Sequence, residues 1–273
     1  MTLRIYRPPP ALRWAVGAII YYSGYSASHP GELLLPDGNT QLVIELDGNE
    51  RAVGYGTPAE RSLRGAWITG VQTGPLVYRG ERDATTVCIQ FSPGGLYRLL
   101  GVPSAEFRDR VVDASLLAPP RVLDLREQLL AAAEVDAADT DATAAVVWRF
   151  LRQRLAANDT PGAALAFAVQ RLSRPEGSIG EISRLSGYSH KHLIDLFKTH
   201  VGVAPKAYQR VLRFNRALAD LGAGRFGMAD VAQRCGYSDQ AHFSHEFRRL
   251  SGYSPGSYLS ANREYRHVIG VDR

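Results

Sequence analysis

Side chains able to do covalent or metal chemistry are few in this chain. Cysteine occurs only at Cys88 and Cys235, and His29 is the only histidine before His190. Two cysteines can build neither a disulfide framework nor a four-cysteine zinc site, and a small buried apolar role suits both. His242 and His245 stand at the i, i+3 spacing of helical metal ligands, but the local sequence brings no third ligand, and zinc needs at least three. A lone His29 also rules out a histidine cluster of the metal-binding cupin kind in the first half. Gly252-Tyr-Ser254-Pro-Gly256 spells a hydrolase nucleophile elbow, yet Pro255 has no N–H to donate where the oxyanion would need one. Gly54-Tyr-Gly56-Thr-Pro-Ala59 spells a dinucleotide fingerprint, but short loops surround it and no long helix follows, so it reads as a turn. Cys88 would have to be reactive in an alkyl-transfer repair enzyme; it lies in an apolar strand run beside Gln90 and Phe91, without basic neighbours. No enzyme, metal or cofactor is therefore expected.

The remaining chemistry is recognition. From Met228 to Pro255 the sequence reads helix, tight turn, helix: Val231 and Ala232 face inward, Gly236 supplies the turn, Tyr237 points back as a plug, and Ser238 or Asp239 caps the second helix. Phe243, Phe247 and Leu250 recur along one side of that helix. Gln240, Ala241, Ser244, His245 and Arg248 occupy the other, a small, polar and basic face that suits a DNA major groove. Ile182 to Lys198 repeats the pattern, with Leu193 and Phe197 inside and His190, Lys191, Ile194, Asp195 and Lys198 outside. The Gly-Tyr-Ser turns at Gly187 and Gly236 lie 49 positions apart. Each copy closes alike, at Gly202-Val-Ala-Pro205 and Gly252-Tyr-Ser-Pro255. Two copies make a pair of linked units rather than a solenoid.

On these residues, with Pro205-Lys-Ala-Tyr208-Gln-Arg-Val-Leu-Arg213 between them, the stretch from about Pro161 to Tyr265 resembles the DNA-binding domain of AraC/XylS-type transcriptional regulators. That resemblance implies two helix-turn-helix units on a rigid linker helix, their recognition helices entering successive major grooves on one DNA face. It marks Lys191, Ile194 and Asp195 in the first unit, and Gln240, Ala241, Ser244 and His245 in the second, as base-contacting. Asp195 departs from the pattern, since many relatives carry arginine there. Lys198, Lys206, Arg210, Arg213 and Arg248 are expected on phosphates. In the linker, Tyr208, Val211, Leu212, Leu218 and Leu221 form the inward stripe.

Charge divides in the same way. Up to Ala157 there are 16 Lys and Arg against 17 Asp and Glu; from Asn158 onward there are 16 against 10. The positive excess of the chain thus belongs to its second half, as a polyanion partner requires. The 273 residues, 45% apolar, are enough for two cores,. No apolar run approaches the about 18 residues of a membrane span, and the opening lacks a secretory pattern, so a cytoplasmic protein is expected.

The first half is written in short β-branched and aromatic runs: 15–22, 32–35, 41–46, 67–72 and 85–91, separated by turns such as Pro36-Asp-Gly38 and Ser92-Pro-Gly-Gly95. A small antiparallel sheet or barrel is expected, followed by helices over 105–110, 123–133 and 143–155. Leu35-Pro-Asp-Gly38, Phe91-Ser-Pro-Gly-Gly95 and Leu100-Gly-Val-Pro103 resemble an uncharacterised β-rich sensor domain of some such regulators. Tyr21, Tyr22, Tyr25, Trp67 and Tyr78 are the candidates for an apolar effector pocket, with core packing as the competing reading for each. The expected architecture is an α+β domain over 1–157 and an all-α double helix-turn-helix domain over 158–273, joined by a hinge at 158–162. The expected partners are double-stranded DNA and a small-molecule effector. An effector-independent regulator, whose first half only forms a homodimer or contacts RNA polymerase, is the alternative.

Overall fold

The structure is a computed structural model that describes residues 1–80, 82–117, 121–135, 139–155, 162–174 and 177–272. Of the expected hinge over 158–162, residues 158–161 lie outside them. The first half contains β1 (Thr2–Tyr6), β2 (Val16–Tyr25), β3 (Gly31–Leu34), β4 (Thr40–Glu45), β5 (Arg51–Val53), β6 (Arg61–Leu63), β7 (Ala66–Thr69), β8 (Leu76–Arg79) and β9 (Ala84–Phe91). Then come α1 (Gly95–Leu100), β10 (Val111–Asp113), α2 (Arg121–Val135) and α3 (Thr140–Arg154). The second half runs α4 (Ala163–Leu172), α5 (Ile179–Ser186), α6 (His190–His200), α7 (Pro205–Ala223), α8 (Met228–Arg234), α9 (Gln240–Ser251) and α10 (Pro255–Ser260), and ends in β11 (Arg263–Tyr265) and β12 (Val268–Val271).

Two six-stranded antiparallel sheets result, in the orders β1-β2-β9-β4-β7-β10 and β11-β12-β3-β8-β5-β6. The second sheet draws strands from both halves of the chain. Its outer hairpin, β11 and β12, comes from the far end of the chain, with Val268 opposite Leu34 and Val271 opposite Gly31. The C-terminal part is helical from α4 to α10 and closes with this short hairpin.

Strand alternation sorts the side chains into layers. On the outer face of the first sheet, Ile19, Tyr21, Leu42, Ile44, Ile68, Val87 and Ile89 pack under Leu125 and Leu129 of α2 and Val147, Phe150 and Leu151 of α3. The alternate residues of the same strands, Ile20, Tyr22, Val43, Trp67, Thr86 and Cys88, turn inward. On the second sheet Glu32, Leu34, Tyr78 and Val268 point in to meet them, while Leu33, Leu35, Val77 and Ile269 point out. That outer face carries the second helix-turn-helix unit: Val211, Phe214, Leu218, Phe247 and Tyr258 share one core with it. Phe214, fully buried with its ring 5.1 Å from that of Phe247, joins the expected linker stripe, and half-buried Leu212 packs against the core of the first unit.

Candidate nucleic-acid interface and effector cavity

Both helical pairs form as their turn chemistry demands. Gly187 and Gly236 adopt φ of 72° and 79°, the left-handed region that a side chain disfavours,. Ser189 caps α6 by accepting from His192 N at 3.2 Å. Asp239, rather than Ser238, caps α9 by accepting from His242 N at 2.7 Å, and the Ser238 hydroxyl turns to Asp239 Oδ2 and His242 Nδ1. Tyr237 is the plug: buried, it lies 5.1 Å from the Phe243 ring. Ser254 of the elbow-like pentapeptide caps α10 through Ser257 N at 3.1 Å, a structural use of that serine.

Leu193 and Phe197 of α6, like Phe243, Phe247 and Leu250 of α9, are buried. Opposite them Lys191, Asp195 and Lys198 are exposed and Ile194 half-buried on α6; Gln240, Ala241, His245 and Arg248 are exposed and Ser244 half-buried on α9. Ile194 and His190 open onto a groove that also takes in Ser183 and Lys206. Asp195 forms no ion pair among the described residues, so the reading in which it merely holds a neighbouring lysine has no contact behind it. His242 and His245 belong to no group of three ligating side chains among the described residues.

The basic residues expected on phosphates are not placed alike. Lys198, Lys206 and Arg248 are exposed. Arg210 and Arg213 are half-buried and turned toward the second unit: Arg210 Nη1 lies 3.9 Å from Glu246 Oε1 of α9, and the Arg213 guanidinium sits 5.0 Å above the Tyr237 ring. They brace the linker helix against the second unit, a role that helical periodicity alone does not reveal. Arg216 ties the linker to the first unit instead, donating to Ser173 O at the end of α4 at 2.8 Å.

The first domain grips both units. His200 O, at the end of α6, accepts from Gly94 N at 3.0 Å and from Ser104 Oγ at 3.1 Å, while the His200 ring meets Tyr97 edge-on at 4.6 Å. Burial, and then the Arg98 charge, hold the pKa of His200 below its usual value. On the linker, Asn215 Nδ2 donates to Pro36 O at 3.1 Å, and Asn215 Oδ1 pairs with His267 Nε2 of the terminal hairpin. His267 O in turn accepts from Leu35 N at 2.9 Å.

Between the two sheets lies a cavity of about 360 Å³. Tyr22, Tyr25, Trp67 and Tyr78 line it; Tyr21 does not, since alternation turns it to the helical core. Sequence reasoning also missed Tyr265 and Val268, which the terminal hairpin contributes as one wall. Gln41 connects another wall to the linker helix. Its Nε2 donates to Asp37 Oδ2 at 3.0 Å, and Asp37 belongs to the loop whose Gly38 faces Val211. Burial, with the Asp37 charge adding to it, pushes the Cys88 thiol up to about 12, so the cavity wall presents no thiolate,.

Residues 182–261 match the family described as a helix-turn-helix domain, and residues 4–113 match a domain of unknown function (DUF6597). The chain is 35% identical over 81 residues to the probable transcriptional regulator LumQ of Photobacterium leiognathi, covering 30% of this chain and 33% of that one. It is 36% identical over 76 residues to the HTH-type transcriptional regulator GlxA of Rhizobium meliloti (strain 1021), covering 28% and 24%. A transcriptional regulator of Chromobacterium violaceum, described with AraC-type DNA-binding domain-containing proteins, superposes with a TM-score of 0.33 at 29% identity, over 36% of this chain and 89% of that one. The matches to LumQ and GlxA thus span a third or less of those relatives' length. Among the described residues no helix is long and apolar enough to cross a membrane.

Proposed function

We propose, from the AraC/XylS-type double helix-turn-helix domain that forms the C-terminal part of this chain, that the protein is a sequence-specific DNA-binding regulator of transcription whose N-terminal domain binds a small-molecule effector. The observation that carries the DNA-binding reading is the pair of recognition helices, each with a buried aromatic floor and an exposed polar face, set on one braced linker in the basic half of the chain. Lys198, Lys206 and Arg248 supply sequence-independent attraction to phosphates, and the faces of α6 and α9 read base edges. The effector reading draws its support from the cavity, whose walls continue through Asp37 and His267 to the linker helix.

Selection of bound duplexes from a random pool by the full chain tests the proposal. A recurrent site with two half-sites on one DNA face is expected, bound with a steep loss of affinity as salt rises. A pool that stays random after repeated rounds would overturn it.

Asp195 gives a finer expectation. A carboxylate in the groove repels phosphate but can accept a hydrogen bond from cytosine N4, or steer Lys191 toward guanine. Asp195→Ala should relax preference at one position of the selected site by about 1–3 kcal/mol, with little change elsewhere. Affinities measured against every base at each position decide this. A uniform gain for all sequences would mean that Asp195 only weakens phosphate attraction.

A further inference from the structure

We infer that the cavity between the sheets takes an uncharged, largely apolar molecule bearing one hydrogen-bond-accepting oxygen, a ketone or an ester, and that Trp67 and Thr86 receive that oxygen. The inference rests on the proposed effector role of the first domain and names the chemistry it selects. Trp67 and Thr86 are 2% and 0% exposed, and strand alternation turns both toward the cavity,. Neither the indole Nε1 nor the threonine Oγ1 has a hydrogen-bond partner. Buried donors in folded proteins are almost always satisfied, and an orphan is a place where a partner is missing. Indole can only donate, and the threonine hydroxyl can also donate, so the group that completes both is an acceptor.

Size and surroundings narrow the rest. About 360 Å³ falls within the range of small-molecule sites,. Ile20, Leu34, Val43 and Val268 make the walls apolar, and Tyr22 and Tyr78 add aromatic faces. Among the described lining residues Glu32 is the only charged side chain, and it accepts a hydrogen bond from the Tyr25 hydroxyl. A carboxylate ligand would meet repulsion from Glu32 there, and no Lys, Arg or His side chain lines the cavity among the described residues,. The mouth points the same way: Met1, Leu3, Ile5 and Tyr265 are large apolar side chains that the fold leaves exposed, and all four line this cavity. Exposed apolar side chains gathered at one opening mark an entrance for apolar ligands.

Four probes on one skeleton test this by titration calorimetry with the full chain: acetylnaphthalene, ethylnaphthalene, naphthoate and naphthylmethylamine. Acetylnaphthalene should bind about tenfold more tightly than ethylnaphthalene, the margin that one net hydrogen bond supplies. Trp67→Phe and Thr86→Val should each reduce that margin by weakening only the ketone, and either one keeps the comparison open if the other variant does not fold. Ethylnaphthalene binding as tightly as the ketone, or naphthoate or the amine binding more tightly, overturns the ligand class while leaving an effector cavity in place. If none of the four binds the folded chain, the effector reading falls, and this inference with it.

Discussion

Insertion of one alanine between Arg210 and Val211 should abolish high-affinity binding to the full DNA site while leaving helix content intact. The position follows from how α7 divides its contacts. Tyr208 belongs to the core of the first unit with Leu193 and Phe197, whereas Val211, Phe214 and Leu218 belong to the core of the second. One extra residue rotates everything after it by about 100° and advances it by about 1.5 Å. Successive major grooves on one DNA face are separated by about 34 Å in a fixed phase, so two readers turned against each other cannot occupy both. The Arg210 to Glu246 contact and the Arg213 stacking on Tyr237 should be lost with the register. Gel-shift titration on the selected site should show affinity falling to that for random duplex, with circular dichroism unchanged. Undiminished affinity would mean that the units move independently and that α7 sets no distance.

Phe247→Ala should destabilise the protein by about 3–5 kcal/mol, the usual cost of emptying a buried phenylalanine site. Phe247 is fully buried, with ring centroids of Phe214, Phe243 and Tyr258 at 5.1, 5.6 and 5.5 Å. That crowd leaves little room for collapse around the void. The same core holds Leu33, Leu35, Val77 and Ile269 of the second sheet. Thermal unfolding should accordingly move the sheet signal and the helix signal down together, as one transition. A shift confined to the helix signal would show that the shared core does not couple the two halves.

The helix-turn-helix pairs were legible because their determinants are local. A turn glycine, a capping Ser or Asp and an apolar residue every three or four positions are all specified within about twenty residues. The first half was legible only as a class. The short β5, β6 and β8 carry too few residues to show alternation, and their partners are set by the sheet. Tyr21 was misassigned for the same reason: a strand announces that neighbours point to opposite faces, but which face meets the cavity depends on the second sheet and the helices outside the first. Arg210 and Arg213 looked like phosphate ligands because basic residues on a helix do not show, in sequence, that a neighbouring unit will bind them. Trp67 was found as an aromatic, and Thr86 was missed; an orphaned hydroxyl has no signature before its surroundings are known.

The terminal hairpin also sets an order in time. Val268 pairs with Leu34, so β3 cannot acquire its outer neighbour until nearly every other element has been made. At about 5–20 residues per second a ribosome needs on the order of ten seconds or more to travel that distance. Throughout that interval the nascent second sheet carries an open edge at Gly31–Leu34, with Leu33 and Leu35 lacking both Ile269 and the core of the second unit. An unpaired apolar edge is where a neighbouring nascent chain can pair wrongly. The arrangement that joins the end of the chain to its beginning in the folded molecule thus makes synthesis its most exposed moment.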